Sequence, residues 1–271
     1  MISGNFFTDT NACKVFLDSI QEFGISGVEI LLAEGKNFYC NINVLSNFSE
    51  ELLRKNICVP CVDLYVNYLQ PNHFDEACRI VDKMIDAAGA LMSPLGMVCG
   101  SMLPDGMEPG RGREVVAKGI DRAIKTGRKK KVAIAIESFG MSCNLQSTTD
   151  MLADVYGKLK EGPCFFVGDL GNPCYGGEAP IISLKNFFDK LKHVHVKDVK
   201  KTKPGKGLPT LKDYWLDAEK LGVGIADIPG SVRFLNRKRY SGWYSLELNW
   251  SNNINLIGQY SSVLKRLLRT E

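Results

Sequence analysis

Short apolar segments recur along the whole chain and predict buried strands. Segments such as 131–138 and 164–170 are apolar almost without interruption, whereas a strand with one solvated face would alternate apolar and polar residues. Uninterrupted apolar strands are typical of parallel sheets that are covered on both faces. The seven strand candidates are 26–33, 57–66, 90–98, 131–138, 164–170, 193–199 and 242–250, and a less apolar eighth candidate is 2–7.

Longer segments between these strands space their apolar residues as a helix does. In 9–24, for example, Ala12, Phe16 and Ile20 fall on one face of a helix, and Gly24 marks its end. Strands that alternate with helices over a whole chain predict a parallel α/β fold. The predicted helices are 9–24, 73–89, 112–127, 147–162, 183–192, 208–222 and 253–270.

The fold predicted from this alternation is one (β/α)₈ TIM barrel that covers residues 1–271 as a single domain. Eight strands close such a barrel, and about 250 residues is its usual size. The alternative is an open doubly wound sheet. That fold favours a G-x-G-x-x-G turn after its first strand, and the sequence has none there.

Composition and charge narrow the class of protein and its partners. Hydrophobic residues make up 45% of the chain and charged residues 24%, as in an ordinary globular protein. A net charge of +4 is too small to require nucleic acid or a membrane surface as a partner. We recognise no signal segment or membrane span, and the nine scattered cysteines suit reduced thiols, so a cytoplasmic location is expected. Cys58 and Cys61 form a C-x-x-C pair, but the strand-like residues after them argue against a redox site.

Four strand candidates carry a potential metal ligand at or near their C-terminal end. Three of these residues are the carboxylates Glu137, Asp169 and Glu247, and the fourth is His195. The C-terminal ends of the strands of a closed barrel converge on one site. Carboxylates and imidazole suit Mn²⁺, Mg²⁺, Co²⁺ or Zn²⁺, and buried carboxylates without a charge partner would be costly. The pattern therefore predicts a divalent metal site.

The motifs around these residues resemble those of the xylose isomerase-like barrel superfamily of sugar isomerases and epimerases, which also holds inosose dehydratases. The resemblance rests on AIES around Glu137, VGDLGN around Asp169, HVHVKD around His195 and SLEL around Glu247, with a weaker match in LGVGIAD at 221–227. It implies that these four residues bind one divalent ion, preferably Mn²⁺, and that the two glutamates form an acid/base pair. The implied activity is a sugar isomerase or epimerase. Such an enzyme moves the proton α to the carbonyl of a ketose or related polyol through a metal-stabilised enediolate.

Four further residues are predicted to contact the substrate. Asn172 stands where many family members have a histidine, and it can donate a neutral hydrogen bond but cannot relay a proton. Lys197 continues the strand face of the metal-binding histidine, where it would contact substrate or pair with a carboxylate. Glu178 lies on the loop after the metal-binding aspartate, and Trp250 stands just past the last strand. A solvated loop acid and an ordinary rim aromatic are the alternatives for these last two residues.

Other functions remain open to different degrees. The main alternative is an inosose-type dehydratase, a lyase that uses the same metal site. A DNA-repair enzyme of the endonuclease IV kind would need several more histidines than the three in this chain. A barrel that only binds a partner would not need the full set of four ligands. The expected partner is a small sugar or cyclitol, phosphorylated or not, and the resemblance leaves a homo-oligomer open.

Overall fold

The chain forms two compact units of alternating strands and helices. The computed structural model describes residues 2–3, 10–33, 42–139, 145–248 and 253–269. The first unit comprises Met1–Ile136 and Lys158–Phe165, and the second comprises Glu137–Gly157 and Phe166–Glu271. The assignment of the whole chain to a single domain stays a prediction. Within the described ranges, no helix combines the length and the apolar character needed to cross a membrane.

The first unit is a parallel sheet whose strands pair in the order of the chain. Every residue of its fourth strand is buried, as expected for a strand covered on both faces. Gly96 of that strand lets a helix approach closely, since a Cβ there would lie 2.9 Å from the sulfur of Met84. The elements are β1 Ile2–Ser3, α1 Thr10–Glu22, β2 Ile30–Ala33, α2 Ile42–Arg54, β3 Val62–Tyr65, α3 Phe74–Ala90, β4 Leu95–Cys99, α4 Pro109–Lys130 and β5 Ala133–Glu137, whose last residue falls in the second unit.

The second unit contains three further parallel strands and a small antiparallel sheet. Its elements are α5 Thr149–Lys158, β6 Phe165–Asp169, α6 Pro180–Asn186, β7 Leu191–Val196, β8 Asp198–Thr202, β9 Leu208–Pro209, β10 Trp215–Glu219, α7 Ile228–Arg237, β11 Trp243–Leu246 and α8 Ile254–Arg269; α5 and β6 each have one end residue in the first unit. The strand β7 lies between β6 and β11 and pairs with both in parallel. The antiparallel sheet has the order β8-β10-β9 and follows β7 directly.

Each of the eight predicted strand segments overlaps an observed parallel strand, but one predicted helix is wrong. Residues 208–222 form β9 and β10 instead of a helix, and β10 pairs antiparallel with β8. Along β10, Leu216 is buried, whereas Asp217 and Ala218 are both exposed. The apolar residues of this segment also match helical spacing, and only the pairing with β8 decides between the two. The helices α2 and α7 were not predicted.

Candidate metal centre

The four predicted ligands lie at the C-terminal ends of strands, in the second unit. Glu137 is the last residue of β5 and Asp169 is the last residue of β6. His195 lies one residue before the end of β7, and Glu247 directly follows β11. The register aligns Asp169 and Ser245 with His195 on its two neighbouring strands. Because the strands are parallel and in this register, the ligands meet at one edge.

The three carboxylates converge on one nitrogen of the imidazole. His195 Nδ1 lies 3.2 Å from Glu137 Oε2, 3.6 Å from Glu247 Oε2 and 3.7 Å from Asp169 Oδ2. The side chains of Glu137, Asp169 and His195 are almost completely buried, whereas that of Glu247 is 21% exposed. Of the four ligands, Glu247 is therefore the one that is most exposed to solvent.

The two oxygens of Asp169 have different surroundings. Oδ1 accepts hydrogen bonds from the backbone N–H groups of Gly171 and Asn172, at 2.7 and 2.6 Å. Oδ2 is buried and accepts no hydrogen bond within the described part of the chain, although it lies 3.0 Å from Lys197 Nζ. A buried carboxylate oxygen without a hydrogen bond is costly. The surroundings of Asp169 Oδ2 therefore fit an oxygen that ligates a cation.

Lys197 brings a positive charge into this cluster. Its Nζ donates a hydrogen bond to Glu247 Oε2 at 2.8 Å and pairs with Asp169. Burial alone would lower the pKa of Lys197, but the carboxylates around it outweigh burial and hold this pKa well above its ordinary value. Burial also opposes ionisation of Asp169, yet Lys197, His195 and the backbone N–H of Asn172 together lower the pKa of that carboxyl. The pKa of Glu247 is raised, chiefly by burial.

The donor set fits a divalent ion. Three carboxylates and one imidazole are hard to borderline ligands, as Mn²⁺, Mg²⁺, Co²⁺ and Zn²⁺ prefer. The ligand atoms of Glu137, Asp169 and His195 all lie within 4.8 Å of one another, close enough to share one ion. His193, the other histidine of the motif, instead has its Nε2 2.8 Å from Ser245 Oγ and its ring perpendicular to that of His195.

Asp198 holds the loop next to the centre, a role that the sequence analysis missed. Its Oδ2 accepts hydrogen bonds from the backbone N–H groups of Gly222 and Gly224, both at 2.9 Å. Its Oδ1 accepts from Val199 N at 2.9 Å and from Ala226 N at 3.2 Å. The structure thus joins the last residue of HVHVKD to the glycines of LGVGIAD. In the sequence, the available signal was that both motifs belong to the same family resemblance.

The predicted substrate contacts fall in different places. Asn172 is buried in a short 3₁₀ turn directly after Asp169, and Lys197 lies within the cluster. Glu178 lies two residues before α6, and its side chain reaches the start of α5, where Oε2 accepts hydrogen bonds from the backbone N–H and the hydroxyl of Thr149, at 2.9 and 2.7 Å. Trp250 lies outside the described residues. The substrate contacts therefore stay predictions.

A second group of potential ligands lies in the first unit. Glu29, Cys61 and Asp63 are buried, with ligand atoms within 4.8 Å of one another, and the Cys61 thiol donates to Asp63 Oδ1 at 3.1 Å. Burial raises the pKa of Cys61 well above its ordinary value, and the neighbouring carboxylates raise it further. The thiol is therefore protonated at neutral pH, which disfavours a redox role for the pair with Cys58.

Comparison with known proteins identifies the family of the chain. A profile of the xylose isomerase-like TIM barrel family matches residues 17–269. The chain belongs to the xylose isomerase-like TIM barrel family. This result confirms the predicted α/β TIM barrel and the resemblance to the xylose isomerase-like superfamily.

Curated relatives of this barrel include inosose dehydratases. The dehydratase of Clostridium tetani is 26% identical over 138 residues, which are 49% of this chain and 45% of the relative. That of Klebsiella pneumoniae (strain ATCC 700721 / MGH 78578) is 26% identical over 148 residues, with 49% and 46% covered. The chain therefore spans about half the length of the curated relatives it matches.

Solved structures share the fold at low sequence identity. A xylose isomerase domain protein from Planctomyces limnophilus has a TM-score of 0.76 at 14% identity, with 93% of this chain and 91% of that chain covered. A D-tagatose 3-epimerase-like protein has a TM-score of 0.76 at 14% identity, with 98% and 96% covered. A xylose isomerase-like protein from Mycobacterium smegmatis, solved in complex with magnesium, has a TM-score of 0.69 at 11% identity, with 94% and 87% covered.

Proposed function

We propose that this protein is a divalent metal-dependent isomerase or epimerase that acts on a ketose or a related polyol. The observation that carries the proposal is the convergence of Glu137, Asp169 and Glu247 on His195 Nδ1 at 3.2–3.7 Å. Isomerases and epimerases among the structural neighbours support the same reaction class. The substrate would be a small sugar or cyclitol.

The proposed reaction begins with removal of the proton α to the substrate carbonyl. One of Glu137 and Glu247 takes this proton as a carboxylate, and the other returns a proton to the substrate as a carboxylic acid. Return of the proton to the opposite face inverts the carbon. Its return to the neighbouring carbon moves the carbonyl, provided that the hydroxyl proton of that carbon passes to the former carbonyl oxygen. General acid–base catalysis of this kind contributes about 10²–10⁴-fold to the rate.

The remaining side chains bind the ion and orient the substrate. Asp169 and His195 would complete the ligand set, with Mn²⁺ the preferred ion. When bound, the ion supplies a Lewis acid that lowers the cost of negative charge on the carbonyl oxygen. Lys197 and Asn172 would donate hydrogen bonds to substrate oxygens, since both lie beside the ligands and can act as donors.

Metal-restored proton exchange tests the proposal. The protein is stripped with a chelator, Mn²⁺, Mg²⁺, Co²⁺ or Zn²⁺ is added back singly, and deuterium uptake from D₂O into ketoses, inososes and hydroxypyruvate is followed by NMR. We expect exchange only with metal, and its loss in Glu137→Gln and Glu247→Gln. Glu114→Gln, at an exposed position on α4 in the first unit, is the matched control. Exchange that persists without metal, or in both glutamine variants, would refute the proposal.

A second candidate function is dehydration of an inosose, which the curated relatives favour. The same α-proton is removed, and the hydroxyl on the adjacent carbon then leaves with a proton as water. The exchange assay separates the two reactions when its products are weighed by mass spectrometry. Apart from the deuterium it takes up, an isomerase or epimerase product keeps the mass of the substrate, whereas a dehydratase product lacks one water.

A further inference from the structure

Lys197 contacts the same two oxygens that a metal ion at this centre would use. Its Nζ lies 2.8 Å from Glu247 Oε2 and 3.0 Å from Asp169 Oδ2. The same two oxygens also face His195 Nδ1, at 3.6 and 3.7 Å. An ammonium group and a divalent ion therefore compete for the same lone pairs.

The other oxygen of Asp169, Oδ1, is not available to a metal ion. Oδ1 already accepts hydrogen bonds from the backbone N–H groups of Gly171 and Asn172. Those N–H groups follow the strand directly and would lose a buried acceptor if the carboxylate rotated. An ion that binds Asp169 must therefore bind Oδ2, where the ammonium of Lys197 now lies.

The glycine at position 171 leaves room for the side chain of Lys197 between Asp169 and Glu247. Gly171 passes directly under the aliphatic stem of Lys197, and a Cβ at position 171 would lie 2.6 Å from Cγ and 3.3 Å from Cδ of the lysine. Only glycine permits this contact without movement of the stem. The side chains of Lys197 and of Glu247, which its ammonium contacts, are 19% and 21% exposed, so this is the open side of the cluster, toward which the ammonium can shift.

We propose that Lys197 is a built-in counter-ion of the centre, which occupies the position between Asp169 and Glu247 until a divalent ion displaces it. This inference rests on the proposed metal-dependent function. Displacement moves the ammonium away from the two shared oxygens and toward the open side, where it can meet a substrate oxygen. Metal must then bind before substrate does, and the lysine lowers the affinity for the ion below that of the four ligands alone.

Calorimetric titration of Mn²⁺ into chelator-stripped protein tests this inference without measuring activity. We expect Lys197→Met to bind Mn²⁺ about tenfold more tightly than the wild type, within the range of typical couplings between two ligands. Lys203→Met removes an exposed lysine from the loop after β8 and should leave the affinity unchanged. If Lys197 instead orients the carboxylates as ligands, its removal should weaken binding by about 10–100-fold. Weaker or unchanged affinity in Lys197→Met would overturn the proposal.

A second variant, Gly171→Ala, tests the same inference in case Lys197→Met does not fold. Gly171→Ala keeps the lysine but adds the Cβ that would push its stem away, so it should also tighten Mn²⁺ binding. Circular dichroism confirms that each variant is folded before the titration. If the wild type binds Mn²⁺, Glu137→Gln abolishes binding and neither lysine-directed variant tightens it, the counter-ion role fails while the proposed function stands. If no protein in the series binds a divalent ion, the proposed function fails and the counter-ion role fails with it.

Discussion

Replacement of Asp198 by Asn should destabilise the protein more than any surface carboxylate replacement. The side chain is buried, and its two oxygens accept four backbone hydrogen bonds, two each. An asparagine keeps one of these oxygens and replaces the other with an NH₂ group. Whichever way the amide turns, two backbone N–H groups then face a donor instead of an acceptor. Those of Val199 and Ala226 are buried, and those of Gly222 and Gly224 are partly buried.

The expected loss follows from those two N–H groups. A buried donor without its acceptor costs about 1–3 kcal/mol, so a buried pair costs about 2–6 kcal/mol. We expect about 3 kcal/mol, in the lower half of this range, because the amide can turn its NH₂ group toward the partly buried N–H groups of Gly222 and Gly224. For a chain of this size, about 3 kcal/mol lowers the melting temperature by about 6–10 °C. Loss of the charge weakens the two hydrogen bonds that remain and acts in the same direction.

Thermal unfolding followed by circular dichroism measures this effect. Asp217→Asn is the control, because Asp217 is exposed on β10 and accepts a hydrogen bond from its neighbour Ala218 at 2.8 Å. It should change the stability by no more than about 0.5 kcal/mol. If Asp198→Asn melts together with this control, the carboxylate does not hold the 220–226 loop in the way described here.

Three further predictions concern the surroundings of the centre. Gly224→Ala should cost about 1–3 kcal/mol in a denaturant titration, since its Cβ would lie 2.2 Å from Asp198 Oδ1 and 2.3 Å from the carbonyl oxygen of Val199. Glu178→Gln should lower stability by about 1 kcal/mol through the weakened contacts at Thr149 and leave proton exchange unchanged; a loss of exchange would instead make Glu178 a substrate contact. Mn²⁺ at about 100 times its Kd should stabilise the stripped protein by about 2.7 kcal/mol in a thermal shift assay, and no shift would contradict a resident ion.

The sequence predicted the parallel strands because their signal is local. A strand buried on both faces must be apolar along its length, and that requirement is visible in segments such as 164–170. The predicted ligands followed from the same strands, since the C-terminal end of a strand fixes where its last side chain lies. Asp169 and His195 are neighbours because of strand register, which the position of each motif within its strand already implied.

The features that sequence analysis missed depend on contacts between distant parts of the chain. The segment 208–222 has apolar residues at helical spacing, and only its pairing with β8 makes it a strand. Asp198 accepts hydrogen bonds from N–H groups 24–28 residues further along the chain. Glu178 contacts Thr149 across 29 residues. Because these partners are more than 20 residues apart, the spacing of apolar residues within one segment cannot predict the contacts between them.

The segment HVHVKD links the chemistry of the centre to the packing of the adjacent loop. Alternation along β7, continued by the residue that follows it, places His193, His195 and Lys197 on one side, and the last two of these reach the carboxylates. Asp198 directly follows and binds the backbone of the 220–226 loop. A shift of this segment by one residue would exchange the two sides and would remove both the imidazole and the ammonium from the cluster. Asp198 therefore helps to fix the register in which His195 and Lys197 face the metal ligands, so its loss should weaken Mn²⁺ binding as well as folding.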